Sequence, residues 1–132
     1  MKMKKKLLQI IADTYDICLT EIPKMIPESK GEYSAYLPVK NGYNPNILMV
    51  GNVSQDFIKL FNELEQSKQI IKEPCTVMIH LIDGAPVYSL PIVTNTKGMK
   101  GKKEHWIPLV IKKGENFPKD IQKKSLMEQE EN

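Results

Sequence analysis

The sequence predicts an α+β fold: a small, mostly antiparallel sheet, open to curling into a partly open barrel, with elements in the order α-β-β-α-β-β-β. Three observations carry this prediction. Apolar residues recur at helical spacing near the start of the chain and again in its middle. They alternate with polar residues around 33–39 and 76–90, and clusters of Gly, Pro, Asn and Asp separate the segments by short connections. With 132 residues, 41% hydrophobic and 27% charged, the composition is that of one globular domain. The expected division is a single domain over 1–118 and a loose tail over 119–132, rich in Lys, Glu and Gln.

The first element is an amphipathic helix. Leu7, Leu8, Ile11, Tyr15, Cys18, Leu19 and Ile22 share one helical face, and the helix is expected to end before Pro23. Lys2, Lys4, Lys5 and Lys6 precede it in the manner of a secretory signal, but Gln9, Asp13 and Asp16 interrupt the apolar run. The run also falls far short of the ~20 apolar residues of a membrane span, so packing on the sheet is expected and no membrane partner. Next, Tyr33, Ala35, Leu37 and Val39 alternate with Ser34 and Tyr36 as a half-buried strand, the turn Asn41-Gly42-Tyr43-Asn44-Pro45-Asn46 follows, and residues 47–50 form a second strand. Ser54 is an N-cap for a helix over 55–68, whose apolar stripe is Phe57, Leu60, Phe61 and Leu64.

The remaining expectations are strands. Residues 76–82 and 87–90 read as a hairpin across Asp83-Gly84 in a type I′ turn, with Val77, Ile79 and Leu81 facing the core. A last strand runs over 106–111, and Pro91 and Pro108 mark edge or bulged strands.

The basic residues are all lysine, with no arginine. This matches the codon bias of an AT-rich genome and removes planar, bidentate readout of guanine edges or phosphate, leaving point-charge contacts. The net charge of +3 is unevenly spread: +4 over 1–6, −4 over 7–94, +6 over 95–124 and −3 over 125–132. Positive charge and backbone freedom converge in Asn95-Thr96-Lys97-Gly98-Met99-Lys100-Gly101-Lys102-Lys103-Glu104, which runs directly into His105-Trp106. Glycines admit an anion to main-chain N–H groups, and lysines attract it. The G-x-x-G within this loop has strand flanks, unlike the G-x-x-G that clamps a nucleic-acid backbone between helices. Neither a phosphate-binding P-loop nor a dinucleotide fingerprint occurs.

Two histidines and two distant cysteines, Cys18 and Cys75, give no metal-ligand spacing, so no metal and no cofactor are expected. The cysteines read as buried free thiols of a reducing cytoplasm. A metal-free nuclease could use His80 with Asp83 or Glu104 as its orienter, or His105 beside Lys102 and Lys103, although a mid-strand His80 is more often a hydrogen-bonded structural residue and His105 at a strand entrance more often solvated. Two non-catalytic readings stand ahead of it. In the first, Lys97, Lys100, Lys102, Lys103, His105, Trp106 and Lys112 bind RNA or single-stranded nucleic acid, with Trp106, Tyr36 or Tyr43 as stacking platforms. Trp106 reads more readily as a core or edge-covering residue. In the second, the domain is a protein-binding regulator or inhibitor that uses an edge strand or the loop over 41–46.

Overall fold

The computed structural model describes residues 2–14, 16–39, 42–93 and 104–123. Tyr15 of the apolar stripe, Asn41 of the predicted turn, the lysine-rich stretch over 94–103 and the tail beyond 123 lie outside the described residues. The chain opens with helix α1 (Lys2–Asp13), which buries Met3, Leu7, Leu8, Ile11 and Ala12 and leaves Lys4, Lys5 and Lys6 in solvent. It stops short of the predicted end. Thr14 closes it, donating its N–H at 3.0 Å and its hydroxyl at 2.7 Å to the same Ile10 carbonyl. The chain then extends into strand β1 (Ile17–Cys18). Residues 17–20 are all buried, and a helix that buries one stripe cannot hide four consecutive side chains. Pro23 also does not close a helix. It sits in the first turn of the short α2 (Ile22–Met25), where its missing N–H is harmless.

Strands β2 (Lys30–Val39) and β3 (Gly42–Val53) form the predicted hairpin, longer than expected and antiparallel, with repeated register shifts between Lys30 and Leu37. Helix α3 (Gln55–Gln66) starts at the predicted cap: Ser54 Oγ accepts from Phe57 N–H at 3.1 Å. Its stripe of Phe57, Leu60, Phe61 and Leu64 is buried. Strand β4 (Ile70–Pro74) was not predicted; only Ile70 of its five residues is buried, and Lys72 pairs with Glu65, so the segment lacks an alternating apolar pattern.

The largest correction concerns residues 76–90. Instead of a hairpin, Val77–Asp83 forms helix α4, and no strand occurs over 87–90. Gly84 is left-handed, at φ 70°, but as a helix C-cap and not as part of a type I′ turn. Ala85 N–H reaches the His80 carbonyl at 2.9 Å and Gly84 N–H the Leu81 carbonyl at 3.3 Å, the paired bonds of a Schellman ending.

Strands β5 (His105–Trp106) and β6 (Leu109–Lys113) complete two three-stranded sheets, ordered β1-β6-β4 and β2-β3-β5. The α+β class holds, and among the described residues the strands form two small sheets and no closed barrel. Pairing between these strands is antiparallel except between β5 and β3, where Ile47 lies beside His105 and Leu48 beside Trp106, and an isolated parallel bridge joins Ile92 to Trp106. Only Ile107 and Pro108 separate β5 from β6, so a single extended stretch passes from one sheet into the other. Along it Ile107 N–H donates to Leu48 O at 3.0 Å, and Pro108 O accepts from Cys75 N–H at 2.9 Å. Residues 106–111 are all buried. Around this stretch α1, α3 and the sheets share one core that includes Leu7, Ile11, Phe57, Leu64, Ile70, Ile107 and Ile111, with Phe117 and Ile121 packed against it. No helix among the described residues is long and apolar enough to cross a membrane.

Candidate functional site

Lys97, Lys100, Lys102 and Lys103 lie outside the described residues. The chain on either side of them is held: Val93 N–H donates to Trp106 O, and Trp106 N–H to Pro91 O, both at 2.9 Å. Trp106 has no exposed surface. Its ring meets the His80 ring edge-on with centroids 5.1 Å apart and the Tyr88 ring at 5.0 Å, so it is a core side chain and offers no face to a base. Lys112 is committed to carboxylates, with Nζ 2.8 Å from Glu73 and 3.7 Å from Asp16. The Glu73 hydrogen bond raises its pKa and holds it charged. Trp106, buried, and Lys112, paired with Glu73 and Asp16, therefore do not project together from one face. His105 is half-buried on β5.

The nuclease inventory is also dispersed. His80 is fully buried with Nδ1 3.6 Å from Cys75 Sγ, while Asp83, expected as its orienter, accepts from the Cys18 thiol at 3.7 Å. Neighbouring residues of a strand point to opposite faces, so His105 turns away from the Trp106 face that His80 occupies. The Cys75–His80 pair is neutral. Burial lowers the imidazole pKa, and burial, then Asp16 and Asp83, push the Cys75 thiol up to about 11. Cys18 rises to about 12, chiefly through burial and then Asp83. A thiol this weakly acidic supplies almost no thiolate at neutral pH. Among the described residues no group of three or more His, Cys, Asp or Glu side chains is placed to hold a metal ion.

The His80 environment has a stability consequence. Its folded pKa lies below the ordinary 6.5, so in mildly acidic solution the unfolded chain takes up a proton that the folded chain refuses. The contribution is whole above that ordinary value and is lost as pH falls through it toward the folded pKa. Urea unfolding is expected to show a midpoint that drops between about pH 7.5 and about pH 5.5, and His80→Gln is expected to flatten the slope. An unchanged slope in the variant would place the titration elsewhere.

What the structure does bring together is tyrosine. Tyr33, Tyr36 and Tyr43 line a cleft of about 300 Å³ between the β2–β3 hairpin and α3, with Ala35, Met49 and Ile58 as its apolar wall. Regular alternation puts Tyr33 and Tyr36 on opposite faces of β2. The register shifts between Tyr33 and Ala35, and again between Ala35 and Tyr36, re-aim the strand and let both reach one cleft. Tyr33 and Tyr43 are 51% and 59% exposed, so their rings are available. Helix α3 contributes Gln55, Ile58, Lys59 and Asn62, spaced as a single helical face beside its buried stripe. Among the described residues Lys59 is the only charged one lining the cleft. Of these residues, sequence reasoning singled out Tyr36 and Tyr43 and missed Tyr33, Gln55, Lys59 and Asn62. The signal for the last three was their spacing on α3, which shows only once that helix has a partner.

Comparison with family models, curated proteins and solved structures finds no match for this chain.

Proposed function

We propose that this is a small, non-enzymatic cytoplasmic protein that binds RNA or single-stranded nucleic acid, with the tyrosine cleft holding bases. The observation that carries the reading is three tyrosines around a cleft whose only charged lining residue, among the described residues, is a lysine. A base has a π-face whatever its sequence, and base–aromatic stacking is worth about 1–3 kcal/mol per base by alanine substitution. The Gln55 and Asn62 amides each offer a donor and an acceptor to a base edge, and Lys59 offers a point charge to phosphate. The lysines at 97, 100, 102 and 103 belong to the same reading through the sheet. Their C-terminal neighbours in β5 pair with β3 at Ile47 and Leu48, and β3 also carries Tyr43. A lysine-only inventory makes the phosphate contacts electrostatic and sequence-tolerant.

Fluorescence anisotropy with labelled single strands of about 12 nucleotides tests it. The wild-type chain is expected to bind, with affinity falling steeply between about 50 and about 200 mM salt. Tyr33→Ala and Tyr43→Ala are each expected to weaken binding about tenfold without changing the salt slope. Replacing Lys97, Lys100, Lys102 and Lys103 with glutamine is expected to flatten that slope. Absence of binding by the wild type, or indifference to both tyrosine substitutions, would refute the reading.

A further inference from the structure

Helix α4 packs Ile79 against the small cluster of Cys18, Ala85 and Val110 but leaves three other apolar side chains in solvent. Of its seven residues only His80 is buried, whereas Met78, Leu81 and Ile82 are 61%, 62% and 75% exposed. Their spacing of three and four places them in one stripe. Beside the stripe runs a groove of about 570 Å³ between α4 and the segment leading into α2, with Ile17, Met25, Ile79 and Ile82 lining it. Asp16, Glu21 and Asp83 line it too and make it acidic. Burial and the nearby Asp83 raise the Glu21 pKa, a sign that the carboxylates are crowded. Lys24 offsets part of that charge at Glu21, and Lys112 part of it at Asp16.

We propose that this groove docks a short basic amphipathic helix of a partner protein, with apolar anchors on the α4 stripe and lysine or arginine flanks against Glu21 and Asp83. Charge selects this occupant. A second copy packed two-fold on the same stripe would set Glu21 and Asp83 of each chain against those of the other, and like charges brought together at an interface oppose association. Anionic lipid is disfavoured for the same reason. A basic helix meets both the apolar and the acidic parts of the surface, which is the helix-in-groove mode of recognition. Among the described residues the groove shares no lining residue with the tyrosine cleft, so the two readings fail independently.

The test uses the full chain and a labelled model peptide with leucine on one helical face and lysine on its flanks, beside a twin carrying glutamate for lysine. The lysine peptide is expected to bind in a salt-dependent way and the glutamate twin not to bind. Leu81→Asp and Ile82→Asp are each expected to cut affinity at least about tenfold, with the circular dichroism spectrum and nucleic-acid binding unchanged. Glu21→Gln with Asp83→Asn is expected to flatten the salt dependence. Equal binding of both peptides, no binding of either, or peptide binding indifferent to the α4 substitutions would overturn the proposal. So would a dimer in sedimentation that Leu81→Asp dissolves, or binding to anionic vesicles stronger than to the lysine peptide.

Discussion

Replacing Trp106 with alanine is expected to remove about 3–5 kcal/mol of stability, the cost of leaving an indole-sized void in a packed interior. The side chain has no exposed surface, and its ring is wedged between His80 and Tyr88. Its neighbours cannot collapse into the space. His80 is fixed on α4 against Cys75, and the Tyr88 hydroxyl accepts from Gly51 N–H at 3.0 Å. Trp106 main-chain groups tie the chain at Pro91 and Val93, so the loss extends beyond one cavity. Urea unfolding by tryptophan-independent circular dichroism is the measurement. Trp106→Phe is expected to be much milder. It keeps an aromatic ring there and removes the indole Nε1, which is buried without a hydrogen-bond partner among the described residues, and such a donor is itself costly. A full-sized loss in the phenylalanine variant would show that ring size governs the site.

The second large effect is expected at Gly114, just past β6. A Cβ there would lie 2.2 Å from the Lys68 carbonyl oxygen and 2.8 Å from its carbon, and both are backbone atoms that cannot rotate aside. The approach is close because Gly114 N–H donates to Gln69 O, while Asn116 N–H donates to Lys68 O, both at 2.9 Å. Lys68 itself takes a left-handed φ of 61°, so the turn after α3 is already shaped to meet this one. Gly114→Ala is expected to cost roughly 1–3 kcal/mol through forced separation of the two turns. The same unfolding measurement checks it, and a change within about 0.5 kcal/mol, usual for a surface substitution, would mean that the turns part freely.

How far the sequence could be read follows from what each segment depends on. Helix α3 was legible because its cap and its stripe are local: Ser54 and Phe57, Leu60, Phe61 and Leu64 need no distant partner to declare themselves. The β2–β3 hairpin was legible in place but not in facing, since bulges that shift Tyr36 toward Tyr33 depend on the partner strand. Residues 77–83 misled for a physical reason. A seven-residue stretch with five apolar side chains fits a buried strand as well as a helix, and the helix is held by its Gly84 ending and by His80 against Trp106, a contact 26 positions away in the chain. Short strands β1 and β4 exist only because β6 pairs with both. At the candidate site the tyrosines were partly visible, whereas the burial of Trp106 and the engagement of Lys112 with Glu73 and Asp16 are tertiary facts.

The stretch from His105 to Lys113 belongs to both sheets, and this bears on how the molecule is made. During synthesis the hairpin, α3 and β4 leave the ribosome before either sheet can be finished. Until the stretch emerges, β4 has no strand beside it and β1 no ladder. Once it docks, both sheets close around the same nine residues. Neither sheet can reach its full set of strands before this stretch emerges, so the long-range pairing that completes both is expected late in synthesis.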